Sequence, residues 1–203
     1  MLKKCLTWLL LTLLCLTCAA AESPAQIDLP LPDASLYVTD PFLREVTQLM
    51  IVREEAARAA WGDRPGVEWA KTTTLVTLHL PTVRMEDDRA TVFARVYSAR
   101  YALWEGEAHS VPQAMSEGML RMMTGSLVPS RIELEQVDGA WQIVSVTESQ
   151  DGTLFWPSIL EFCDGDELLA ATLTIPVGSE VHEFALERCL IAWGYMTPLP
   201  EDE

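Results

Sequence analysis

Fifteen consecutive residues, 90 to 104, alternate with a period of two and are apolar on both sides. Val92, Ala94, Val96 and Ala102 fall on one side, and Phe93, Tyr97, Tyr101 and Leu103 on the other. Period two is the side-chain repeat of a β-strand, and a strand with two apolar faces belongs in the middle of a sheet. Two arginines interrupt it, Arg95 on the aromatic side and Arg100 on the opposite side. The rest of the chain has to supply this strand with neighbours.

The flanking segments read as those neighbours. Residues 67 to 80 are rich in Thr, Val and Leu and predict a strand stopped by Pro81, with a turn at Asp87-Asp88. Downstream, Ile132 and Leu134 alternate with charged residues, and Trp141 and Ile143 alternate with Gln142 and Val144. Asp138-Gly139 between them is a strong two-residue hairpin signal. Counting outward from it puts Leu134 opposite Ile143 and Gln136 opposite Trp141. Ile132, Leu134, Trp141 and Ile143 then share one face. The segment 105 to 117 and the methionines at 115, 119, 122 and 123 fit either a helix or a strand edge.

Helices bracket the strands. Thr39-Asp40-Pro41 is a helix start, with a capping side chain followed by proline in the first turn. Phe42, Val46, Leu49, Met50, Ala57, Ala60 and Trp61 recur at helical spacing up to Gly62. Asp151-Gly152 predicts a turn, and 157 to 162 a short helix. A last helix is expected from Ser179 to about Tyr195, with Val181, Ala185, Cys189 and Ala192 along one stripe. Helix, antiparallel strands, then more helices make an α+β class. The expected architecture is an N-terminal helix packed on a curved, cone-like antiparallel sheet, followed by C-terminal helices. It forms one globular domain over residues 39 to 197, after a proline-containing linker at 22 to 38 and before an acidic tail at 198 to 203.

The first 21 residues read differently. Lys3 and Lys4 precede an apolar run from Leu6 to Leu16, then Ala19-Ala20-Ala21 and Glu22. That is the order of a secretory signal peptide, and the run is short of the roughly 20 apolar residues a spanning helix needs. Cleavage between Ala21 and Glu22 leaves 182 residues, with export to the cell envelope or beyond. Two alternatives stay open: a lipid on Cys18, which would tie the protein to a membrane, and an uncleaved anchor. Loss of the two lysines takes the formal charge from −16 to −18. So acidic a chain excludes nucleic-acid binding, which depends on Lys and Arg neutralising phosphates; the acidity fits a solvated, soluble surface.

Cys163 and Cys189 are the cysteines left after cleavage. An even pair in an oxidising compartment suggests a disulfide. Their apolar surroundings suit free, buried thiols equally well. His79, His109 and His182 are far apart and show no zinc-ligand spacing. Asp164, Asp166 and Glu167 around Gly165 lack the register of a calcium loop and read as a turn and helix start. There is no phosphate loop or nucleophile elbow, and no metal or cofactor is implied.

Arg131-Ile132-Glu133-Leu134-Glu135, Gly139-Ala140-Trp141-Gln142-Ile143, Asp151-Gly152, Phe155 and Ser158-Ile159 together resemble a pattern in small exported domains of Gram-positive bacteria. Those domains occur alone or as the extracellular end of antibiotic-sensor-type regulatory metallopeptidases. They are described as cystatin-like or nuclear-transport-factor-like. The resemblance covers roughly residues 91 to 163. It implies a sheet wrapped on a helix, an envelope location and a link to envelope sensing, without an activity to carry over. The expectation is a non-enzymatic binding or interaction module whose partner is an envelope protein or a small ligand. A small-molecule enzyme using a cone-fold pocket, or a structural domain of a membrane-surface complex, are the alternatives.

Overall fold

The computed structural model describes residues 24–57 and 64–197. The signal sequence, its Ala21–Glu22 junction, Cys18, the helical positions Ala60 and Trp61 and the acidic tail lie outside them. Among the described residues the class is α+β: a five-stranded antiparallel sheet with an N-terminal helix and four further helices.

Strand β3 (Arg89–Trp104) is the centre of the sheet. On one edge it pairs with β2 (Thr73–Glu86) and, past the start of that strand, with the two-residue β1 (Gln26–Ile27). On the other edge it pairs with β4 (Leu120–Val137), which turns into the outer strand β5 (Ala140–Glu148). The hairpin register is the one read from sequence: Leu134 faces Ile143 and Gln136 faces Trp141. Asp138 and Gly139 both take positive φ, at +53° and +83°, the geometry whose twist matches that of paired strands. Farther along β5 the pairing slips between Glu133 and Leu134, so Ile132 meets Val146.

Both faces of β3 are covered. Helix α1 (Pro41–Ala56) lies on the face of Ala90, Val92, Ala94 and Val96 and adds Val46, Met50 and Ile51 to a cluster with Ile132 and Leu134. Asp40 starts α1 as expected, its side chain accepting the Leu43 N–H at 2.8 Å. The opposite face carries two further clusters. Phe93 packs with Ile159 and Phe162 of α3 (Phe155–Phe162) and with Leu169 and Ala170 of α4 (Glu167–Thr172). Tyr97, Ala99, Tyr101 and Leu103 pack with α2 (Val111–Ser116) and with α5 (Glu180–Ala192).

Three expectations change. Pro81 does not stop β2; the strand starts later, at Thr73, and runs on to Glu86. Leu80 takes φ +50° and the register shifts between His79 and Thr82, so the proline sits in a bulge of a strand paired with β3 alone, where its missing N–H costs no ladder bond. The segment expected to be a linker is folded from Pro24 onward. It supplies β1 and a 3-10 turn at Ala34–Leu36, and Leu29 and Ala34 are buried. Its prolines forbid a helix, but they do not forbid packing. Val181 and Ala192, expected on the buried stripe of the last helix, are exposed; that helix buries Ala185, Leu186, Cys189 and Leu190. The ambiguous stretch resolves into α2, a turn at Gly118 and the start of β4 at Leu120.

For the cysteines, where a disulfide and free thiols both stood open, the structure takes the second course. Cys163 and Cys189 are free and buried in different clusters. Burial, reinforced by Asp166 at one site and Asp33 at the other, pushes the thiols up to about 11 and about 12. They act as small apolar side chains, not as a staple.

Candidate functional site

The α1 face of the sheet changes character along its length. Val92, Ala94 and Val96 lie beneath the helix; the next residues of β3 on that face are Ser98 and Arg100. Antiparallel pairing sets Ser98 opposite both Val76 and Ser126, and Arg100 opposite both Thr74 and Thr124. Directly opposed residues point to the same face, so Thr74, Ser98, Arg100, Thr124 and Ser126 form one polar patch. Together with Glu54 and Gly125 they line a recess of about 120 Å³ beside the last turn of α1.

Arg100 is 2% exposed at the base of this recess. A guanidinium stays protonated at any pH a protein survives, so burying one demands compensation. Its Nη2 lies 3.0 Å from Glu55 Oε1, and its Nη1 donates to Thr72 Oγ1 at 2.6 Å. The same Glu55 oxygen accepts the Thr74 N–H at 2.7 Å. A carboxylate from the end of α1 thus holds both the buried cation and the start of β2. At the rim, Glu54 is engaged by Arg53 at 2.7 Å.

On the opposite face the fold assembles a second polar group. Tyr97 and Tyr101 share a hydroxyl–hydroxyl bond of 2.7 Å. The His182 ring stacks on Tyr97 with centroids 4.1 Å apart, and His79 lies 6.4 Å from His182 with its Nε2 3.1 Å from Thr77 Oγ1. Arg95, on the same face, donates to the Ile175 carbonyl. Burial pushes His79 below its ordinary value, and His182 and Arg95 act in the same direction. Burial also lowers His182, against the pull of Glu183 and Glu180. Both histidines therefore bind a proton more readily in the unfolded chain. Stability from this cluster is present above about pH 6.5, the ordinary histidine value, and is lost as pH falls below it. The thermal midpoint is expected to drop between about pH 7.5 and pH 5.5, and His79→Gln to flatten that drop. An equally steep drop in the variant would remove His79 as its source.

The remaining sequence candidates are structural. Asp166 caps α4 by accepting the Leu169 N–H at 3.0 Å, the turn and helix start read from sequence. Asp164 takes φ +57° and pairs with Arg84 and Arg131. His109 Nδ1 lies 3.2 Å from the Thr197 carbonyl oxygen. Among the described residues no group of three or more His, Cys, Asp or Glu side chains is placed to hold a metal ion, and no helix is long and apolar enough to cross a membrane.

Other depressions compare poorly with the recess. An apolar crevice of about 20 Å³ between β1, α2 and α5 holds little more than a water. Grooves of about 300, 380 and 370 Å³ lie around Arg89, between α1 and β5, and between β5 and α3, and no charged side chain lining them is as buried as Arg100.

Of the recess residues only Arg100 stood out in the sequence. The signal for the rest was there: the apolar alternation of β3 breaks at Ser98, and Thr74, Thr124 and Ser126 are its pairing partners. It becomes visible only once the register is known. Fold and recess together define an α+β domain with a helix over one sheet face and a charge-paired polar hollow beside the helix end. No known family model, curated protein or solved structure matches the chain.

Proposed function

We propose that this is a non-enzymatic binding module of the cell envelope and that its ligand site is the recess beside α1. The observation that carries the reading is Arg100, a fully buried cation at the base of a hollow walled by Thr74, Ser98, Thr124 and Ser126. A purely structural core position is served better by an apolar side chain, because desolvating an ion pair offsets most of its attraction. A hollow with convergent polar groups between helix and sheet is where a small molecule is oriented. Export to the envelope rests on the N-terminal sequence pattern.

The test is a map of weak binding. A mixed set of small organic fragments at millimolar concentration is titrated into the isotope-labelled purified protein. The amide signals of Ser98, Thr124, Gly125 and Ser126 are expected to move first and to saturate. Shifts confined to the grooves around Arg89 or along β5 would overturn the recess as the site. Chemical turnover of any fragment that binds there would overturn the non-enzymatic reading.

A further inference from the structure

The geometry points to the class of ligand: resting on the reading of the recess as the binding site, we infer that it selects an uncharged molecule carrying several hydroxyl or amide groups. The charged groups seen around the hollow are already engaged, Arg100 with Glu55 and Arg53 with Glu54. An anion that sought Arg100 has to displace a carboxylate whose Oε1 also holds the Thr74 N–H, so at least two contacts break for one gained. The surrounding field opposes it too, since the whole chain carries a formal charge of −16. A cation gains little from Glu54 and Glu55, whose charges Arg53 and Arg100 already offset.

The hydroxyls make the positive case. Those of Thr74, Ser98, Thr124 and Ser126 line one hollow and make no hydrogen bond to other described residues. Each is a donor and an acceptor and rotates to suit its partner. Four such groups match a ligand that itself mixes donors and acceptors, as a polyol or an amide does. At about 10–15 Å³ for each water-sized group, 120 Å³ takes a molecule of roughly eight to twelve heavy atoms.

Three probes with the same four-carbon skeleton separate the classes: erythritol, succinate and putrescine. Each is titrated into the purified protein while the amides of Ser98, Thr124, Gly125 and Ser126 are followed. Erythritol is expected to shift them saturably and the two charged probes to leave them in place. The paired variant Thr124→Val with Ser126→Ala, close in shape, removes two hydroxyls and is expected to weaken erythritol about tenfold. Unchanged affinity in that variant overturns the inference. Stronger binding of succinate or putrescine overturns it while leaving the recess as a site. If none of the probes moves these amides, and mixed fragments do not either, the reading of the recess falls with it.

Discussion

Arg100→Met is expected to destabilise the protein by about 3 to 5 kcal/mol, the cost of removing one member of a buried ion pair. The variant leaves the Glu55 carboxylate, 16% exposed, without the guanidinium that balances it. It also strips Thr72 Oγ1 of its donor. Packing is not the cause, because methionine fills much of the arginine stem's volume. The check is a urea titration of wild type, Arg100→Met, Glu55→Leu and the double variant. Each single change takes away one member of the buried pair, whereas the double change takes away both, so the double variant is expected to recover part of the loss. Additive losses would mean that the two side chains act independently. Glu55→Leu is expected to be the worse single change, because a buried guanidinium that loses its carboxylate cannot shed its proton.

Phe93→Ala is the second large effect, at about 3 to 5 kcal/mol. Phe93 is 0% exposed and is the sheet's contribution to the cluster that holds Ile159, Phe162, Leu169 and Leu173. Its ring also carries two guanidinium groups, Arg84 at 4.9 Å and Arg131 at 5.8 Å from the centroid. Those arginines in turn reach Asp164 and Asp166 in the turn between α3 and α4. Removing the ring therefore opens a cavity and takes away the platform that positions the charges. Arg84→Ala is the contrast: its ion pairs are exposed, and such pairs contribute about 0 to 1 kcal/mol. Hydrogen exchange is expected to quicken in α3 and α4 of Phe93→Ala before it quickens in α1, whose cluster lies on the other face of the sheet. Equal acceleration in both would show the two faces unfolding as one unit.

The face that Arg100 shares with Ser98 explains why the recess escapes a one-dimensional reading. Alternation along residues 90 to 104 assigns Arg100 to the side away from the aromatic residues, and that is where it lies. What surrounds it comes from three separate segments: Glu55 of α1, Thr72 and Thr74 at the start of β2, and Thr124 on β4. Only α1's docking angle and the strand registers bring them together. His79 and His182 are the parallel case on the aromatic face. They are 6.4 Å apart in space and more than a hundred positions apart in sequence.

By itself the sequence determined the local structure. The Asp40 cap with its proline, the Asp138-Gly139 turn with its register, the two-faced strand at 90 to 104 and the helix start at Asp166 all follow from interactions within a few residues. Backbone sterics, capping hydrogen bonds and side-chain periodicity act at that range. Only the tertiary structure decided that the proline-rich entry segment packs as part of the domain and that β2 continues past Pro81 through a bulge. It also decided that the cysteines stay apart and that a buried arginine is paired at the base of a polar hollow. Those outcomes depend on which surfaces meet across the sheet. Burial and desolvation weigh contacts between segments distant in the chain, and that balance exists only once the segments are in place.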